Sequence, residues 1–272
     1  MSEIKRQLGQ PGGSPLDPAL VARRPQLIVE GNSAAPAGST TLEQAAAIMG
    51  AAFHGLDALA RHCDLEPSAS VAAQLAAVPF SEETLLRSRD THVLVACARL
   101  SIMGLRAKAP DAFYFKRAWY ADEDFARRPL SSRWRLIRKE PVPDSTSKDW
   151  ARQQAVLAPD ELVPGVAEMT LGVVLHRLET GERLLPSVYA RTSDVDSSGR
   201  RIGLGRFGAD GLRIRSFGGR ADYYIGLAAA RKSSWNRRRS PGFTVRTPTP
   251  RDTAAPPDPR PPAPRSARPS AG

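Results

Sequence analysis

Cysteine is scarce in this chain. Cys63 and Cys97 are the two it has in 272 residues, too few for a disulfide framework, so the sequence reads as a protein of a reducing compartment. Long apolar runs are missing as well. The longest, Val93 to Leu105, is interrupted by Arg99 and falls short of the roughly 20 apolar residues that span a bilayer. Met1 to Gly13 contains no apolar segment of signal-peptide type, so the expected location is cytoplasmic with no membrane partner. Histidine is confined to His54, His62, His92 and His176, with no H-E-x-x-H and no paired C-x-x-C, which removes the common zinc patterns. No G-x-S-x-G elbow occurs. Cys97 lies in an apolar run, where burial raises a thiol's pKa and makes it inert. No solenoid-length repeat is visible. No catalytic constellation and no cofactor are expected.

What the chain has in excess is positive charge: 39 Lys+Arg against 28 Asp+Glu, a formal +11. That excess is local. From Arg231 to Gly272 ten basic side chains face two acids, Asp252 and Asp258, and the same stretch holds ten of the 24 prolines. The tail therefore carries +8 and the other 230 residues share +3. Such a composition cannot bury enough surface to offset its ordering entropy and reads as a disordered basic tail over 233–272. A basic arm for nucleic acid or another anionic surface is the functional reading; a solvated extension with no task is the plainer one, since no aromatics are interleaved among its arginines after Phe243.

Residues 1–38 read as a flexible arm rich in Gly, Pro, Ser and Ala. Residues 39–128 read as mainly helical. Thr40-x-x-Glu43 suggests a capping box opening a helix to about His62. Ser68 is placed to cap a helix through Val78, and Ser81 one that begins with Glu82 and Glu83. Thr91 to Ala98 suits a buried strand, Leu100 to Lys108 a helix, and Trp119 to Arg127 a short helix. Beyond Pro129 the pattern changes. Trp134 to Arg138 reads as a strand, Lys148 to Leu157 and Pro164 to Glu179 as helices, the second stopped at Gly181. Val188–Thr192, Arg200–Phe207, Leu212–Phe217 and Tyr224–Ala230 follow as four strands, the first three separated by turns at Asp196–Gly199 and Ala209–Gly211. Helices first and strands last argues an α+β fold: a helical N-terminal part with a C-terminal antiparallel β region over 129–232.

Two motifs lose to their surroundings. Gly203-Leu-Gly205-Arg-Phe-Gly208 matches G-x-G-x-x-G, but a dinucleotide site needs a helix next, and Asp210-Gly211 with another alternating run follows instead. It reads as a glycine-rich strand. Asp194, Asp196 and Ser198 resemble the first half of a calcium loop, yet the position that should be Glu is Gly205 and no flanking helices are expected. They form a weak calcium candidate against a solvated turn.

The most informative stretch is GLRIRSFGGRADYYIGLAAARK, from Gly211 to Lys232. Leu212 and Ile214 alternate with Arg213 and Arg215, so one face is apolar and the other charged. Ser216 to Tyr224 then mixes aromatics, Arg, Gly, Ser and Asp, the composition of a recognition loop that combines rigid aromatic area with adaptable polar contacts. An ordinary hairpin with surface tyrosines is the plainer alternative.

Residues from about Trp119 to Lys232 resemble variable target proteins of diversity-generating retroelements. The likeness rests on Trp134-Arg-Leu-Ile-Arg-Lys139, Pro143-Asp-Ser-Thr-Ser-Lys148, Thr180-Gly-Glu-Arg183, Val188-Tyr-Ala-Arg-Thr-Ser-Asp194 with Val195-Asp196, Gly211-Leu212 and Gly226-Leu-Ala-Ala-Ala-Arg-Lys232. The resemblance implies a C-type-lectin-like fold of the formylglycine-generating-enzyme subtype. It also implies a diversified segment, 212–225, between the Gly-Leu turn and the closing Gly-Leu-Ala-Ala-Ala-Arg-Lys. By position, the ligand-binding residues it implies are Arg213, Arg215, Ser216, Phe217, Gly218, Gly219, Arg220, Asp222, Tyr223 and Tyr224. The chain departs from the family by running forty residues further and by the poverty of its variable segment in Asn. Both cysteines lie in the N-terminal half, so the chemistry of the enzyme that names the fold is not expected. The expectation is a non-catalytic binding protein for a protein or other macromolecular ligand; the alternative is nucleic-acid binding through the tail.

Overall fold

The computed structural model describes residues 38–114 and 118–234. Residues 1–37 of the expected arm and 235–272 of the expected tail lie outside them. The described chain is a mixed α+β fold with a five-stranded sheet, a four-stranded sheet and a small two-stranded one.

The first half alternates short helices and strands. β1 (Thr40–Thr41) pairs with β3 (Ala77–Val78). The capping box sits one residue later than the sequence suggests. Thr41, not Thr40, caps α1 (Leu42–Met49): its Oγ1 accepts from Gln44 N at 3.2 Å, and Gln44 Oε1 accepts from Thr41 N at 3.2 Å. Thr40 instead donates its hydroxyl to the Phe80 carbonyl. The helix expected to reach His62 is also broken. Gly50 ends α1 at φ 54, a conformation glycine adopts without penalty, and a 3-10 turn leads into β2 (Phe53–His54). α2 (Leu56–Cys63) then starts afresh. His54 and His62, expected on one helix, therefore sit on different elements.

α3 (Ala69–Gln74) stops short of Val78 because Ala77–Val78 pairs with β1. α4 (Glu82–Ser88) begins at Ser81, whose Oγ accepts from Thr84 N at 3.3 Å. β4 (His92–Cys97) is buried along its whole length, as its apolar run suggests. α5 (Ile102–Lys108) follows, capped by Ser101. Of the helix expected over Trp119–Arg127, only α6 (Asp124–Arg127) forms.

β5 (Arg133–Arg138) pairs antiparallel with β4 from His92↔Arg138 to Cys97↔Arg133. After α7 (Trp150–Ala155) and β6 (Glu161–Leu162) comes α8 (Val166–Thr180), ended by Gly181. From Glu168 to His176 every residue of α8 is buried. A helix buried all round needs partners on all sides. α8 packs against β2, β4 and β5 of one sheet and against β7 (Tyr189–Val195) and β8 (Arg201–Gly208) of the other. β9 (Gly211–Phe217) completes the meander.

The stretch expected as one strand, Tyr224–Ala230, is two. β10 (Ile225–Leu227) joins the four-stranded sheet, and β11 (Ala230–Arg231) joins the five-stranded one. β10 runs parallel to β7, so the C-terminal region is not wholly antiparallel. The reason is the connection: residues 218–224 carry the chain from β9 at one edge to β10 at the other, and such a crossover delivers a parallel neighbour where a tight turn cannot. The five-stranded order β2-β4-β5-β11-β6 takes strands from both sides of residue 129, and one main apolar cluster runs through both. No helix of the described residues is long and apolar enough to cross a membrane.

Candidate functional site

The inner face of the four-stranded sheet is apolar. Ala190, Ile202, Leu204, Leu212 and Ile214 are buried. Because strand side chains alternate and cross-strand partners share a face, the register Tyr189↔Gly205↔Arg213 and Arg191↔Gly203↔Arg215 puts these six on the other face. Arg201 and Phe217 face each other there too. The two glycines are the literal G-x-G of the sequence, and they lie on a strand as expected. They leave the middle of the outer face bare. A Cβ on Gly203 would meet the Phe217 ring at 3.0 Å, and one on Gly205, at φ 152, would meet Val188 O at 2.0 Å. The ladder is irregular between Gly205 and Gly208. Beyond Gly205 the alternation shifts: Arg206 is exposed and Phe207 buried.

Aromatic rings and guanidinium groups alternate over this face. Phe217 lies 5.1 Å from Tyr189, edge-on. Tyr224 lies 6.2 Å from Tyr189 and 5.1 Å from Tyr223. Arg206 stands 5.1 Å from the Tyr224 ring centroid, Arg201 4.1 Å from Trp150, and Arg213 4.3 Å from Tyr114. Cations over rings at these distances are attracted by the ring quadrupole. Arg213 also pairs with Asp210, which raises its pKa further. Tyr223 is 77% exposed, so most of its aromatic surface stays open despite the contact with Tyr224.

The ten residues the resemblance implied divide as follows. Arg213, Arg215 and Phe217 share the outer face. Gly218, Gly219, Arg220 and Tyr223 are exposed on the loop, and Asp222 and Tyr224 are half-buried. Ser216, by alternation, falls on the side of Leu212 and Ile214, away from the arginines. The sequence reading missed Tyr189, Arg201, Arg206 and Trp150, which belong to the same surface. The register that aligns them was not readable without the fold.

The loop itself is held by its backbone. Arg191 Nη2 donates to Gly218 O at 2.9 Å and to Arg220 O at 2.5 Å. Trp150 N donates to Gly219 O at 3.2 Å, Ser147 N to Asp222 O at 2.8 Å, and Tyr189 N to Tyr224 O at 2.8 Å. Arg191 is 1% exposed. Its Nη1 donates to Gln153 Oε1 at 3.1 Å, and Gln153 Nε2 donates to Ser145 O and Ile225 O. Burial pulls the Arg191 pKa down, while Asp222 and Asp149 pull it back up.

The calcium candidate divides between two other tasks. Asp194 Oδ2 accepts from Val166 N at 2.7 Å, at the start of α8. Asp196 Oδ1 closes its own turn, accepting from Ser198 N, Ser198 Oγ and Arg200 N. Burial works against the Asp196 carboxylate, but these hydrogen bonds hold it well below the usual carboxylate range. Among the described residues no three His, Cys, Asp or Glu side chains converge as a metal site would need.

Comparison of the chain with protein-family models, curated proteins and solved structures gives no match.

Proposed function

We propose that the protein is a non-catalytic recognition module that binds a macromolecular ligand, most simply another protein. It binds through the outer face of β7–β9 and the loop 218–224. One observation carries this reading. The loop's position is set by main-chain carbonyls accepting from Arg191, Trp150, Ser147 and Tyr189. Main-chain acceptors are present whatever the side chains are, so side chains at 220 and 223 can change while the backbone stays.

Phe217, Tyr223 and Tyr224 serve as aromatic anchors, and Arg213, Arg215 and Arg220 supply charge-assisted contacts, with Asp222 accepting. This matches what the sequence resemblance implies for variable target proteins of diversity-generating retroelements, and the C-type-lectin-like assignment belongs to the same proposal. The division of β10 and β11 between two sheets, with Arg213, Arg215 and Phe217 on the outer face of one, is the arrangement in its favour.

The test is a library randomised at Arg213, Arg215, Phe217, Arg220, Asp222 and Tyr223 in the full chain. Most members are expected to keep the parent melting temperature, and selection on unrelated protein targets is expected to yield binders that differ only at these positions. A library that mostly fails to fold, or that yields no binder, overturns the proposal. In the genome, a neighbouring reverse transcriptase and a near-copy of the segment differing at adenines would establish the diversification itself.

A further inference from the structure

β9 is the edge strand of its sheet, and a cleft of about 390 Å³ opens beside it. The size falls within the range of small-molecule sites, roughly 300–1,000 Å³. Its far wall is built by Tyr114, Ala118, Trp119 and Tyr120. Tyr114 N donates to Leu212 O at 3.0 Å, and the Trp119 indole donates to Ile214 O at 2.8 Å. These two bonds cover the strand edge and fix the indole plane, while Trp119 stays 44% exposed. Tyr120 packs edge-on against Trp119 at 5.7 Å. The cleft thus has a rigid, accessible aromatic face.

Four arginines also line it, Arg106, Arg200, Arg213 and Arg215, beside Leu212, Ile214 and Ser216; Arg200 is paired with Asp196. Arg106 donates to Tyr120 Oη at 3.1 Å and to Tyr114 O at 2.9 Å, which orients its guanidinium at the cleft wall. Arg213 pairs with Asp210, yet its Nε is buried without a hydrogen-bond partner among the described residues. Arg215 is exposed at the cleft, and among the described residues its side chain makes no ion pair or hydrogen bond. Among the described residues no Asp or Glu lines the cleft. Guanidinium forks match phosphate oxygens, and an exposed indole face accepts a flat ring.

We infer that this cleft binds a nucleoside phosphate, the base against Trp119 and the phosphate against Arg215 with Arg106 and Arg213. The site is separate from the G-x-G-x-x-G of β8, whose glycines lie within the sheet. It shares Arg213 and Arg215 with the proposed recognition face, but Trp119 and Tyr120, which form its aromatic wall, lie outside that face.

The experiment is calorimetric titration of the full chain at low salt with adenosine 5′-monophosphate, adenosine and inorganic phosphate. The monophosphate is expected to bind, with adenosine and phosphate each weaker by about tenfold or more, since each lacks one of the two recognised parts. Arg215→Ala, an exposed change expected to leave the melting temperature in place, should weaken the monophosphate about tenfold. Trp119→Ala should weaken monophosphate and adenosine but not phosphate. Absence of monophosphate binding at millimolar concentration overturns the inference. So does binding unchanged in Arg215→Ala, which would place the nucleotide elsewhere on the basic chain. Phosphate binding as tightly as the monophosphate would reduce the cleft to an anion site and overturn the assignment of the base.

Discussion

The buried guanidinium of Arg191 donates to the main-chain carbonyl of Gly218 at 2.9 Å. It reaches from β7, an inner strand of the four-stranded sheet, to the loop that carries the candidate recognition residues, and Arg220 O shares the same nitrogen. A lysine in its place has no planar fork and cannot reach two loop carbonyls and Gln153 together. Arg191→Lys is therefore expected to destabilise the fold by about 2 kcal/mol. Hydrogen exchange at 218–224 should accelerate more than elsewhere. Exchange that rises evenly over the chain, or not at all, would show that Arg191 does not position the loop.

Side chains that point outward from the loop should matter little to stability. Arg220→Ala and Tyr223→Ala are each expected to change stability by less than about 0.5 kcal/mol. Gly205→Ala should behave oppositely, because its Cβ would lie 2.0 Å from Val188 O, against rigid backbone. Urea unfolding of the three variants checks the contrast, and equal losses in all three would contradict it.

The buried helix α8 approaches the five-stranded sheet most closely at Gly172, where a Cβ would meet Ile137 Cδ1 at 2.2 Å. The clash is with the end of a side chain, not with backbone. Gly172→Ala should cost about 1–3 kcal/mol by overpacking. Ile137→Val in the same chain should recover part of that loss, because it deletes the clashing methyl. Losses that simply add in the double-mutant cycle would show that the two residues do not press on each other.

Two buried histidines set an acid limit. Burial, aided by the neighbouring His176 at 3.1 Å, lowers the His54 pKa to about 4. Burial, with Arg231 and Arg138 nearby, lowers His92 to about 3. In the unfolded chain both return to about 6.5. Between pH 6.5 and 4 the unfolded state therefore holds more protons than the folded one, and stability falls as the pH falls. Each histidine contributes a slope of up to about 1.4 kcal/mol per pH unit in that window. Melting temperature should be level above pH 7 and drop from pH 6.5 towards 4. His92→Asn should flatten the drop. A melting temperature that holds steady from pH 7.5 to 4.5 would rule the account out.

Much of the secondary structure was legible. The apolar run His92–Cys97, the cap Ser81, the stop at Gly181 and the turns around 196–199 and 209–211 are local features. Each is decided by the chemistry of a few neighbouring residues. What failed was decided at a distance. The long first helix is interrupted because Phe53 and His54 find β4, and the last strand is divided because its two ends find different sheets. The candidate site shows the same division. Arg213 and Arg215 were readable from alternation, which also puts Ser216 on the side of Leu212 and Ile214. Tyr189, Arg201 and Arg206 could not be found, since their place on the surface depends on a register that no single segment contains.

By itself, the sequence determined the concentration of the +11 charge beyond residue 230, the α+β composition, the buried strand at 92–97 and the cluster of arginines and aromatics after Gly211. These follow from composition and local periodicity. Only the tertiary structure decided that two sheets enclose α8, that the loop 218–224 hangs from Arg191, and that a cationic cleft lies between β9 and Trp119. Those features depend on pairing between residues tens to more than a hundred positions apart, and such pairing is selected by the packing of the whole core.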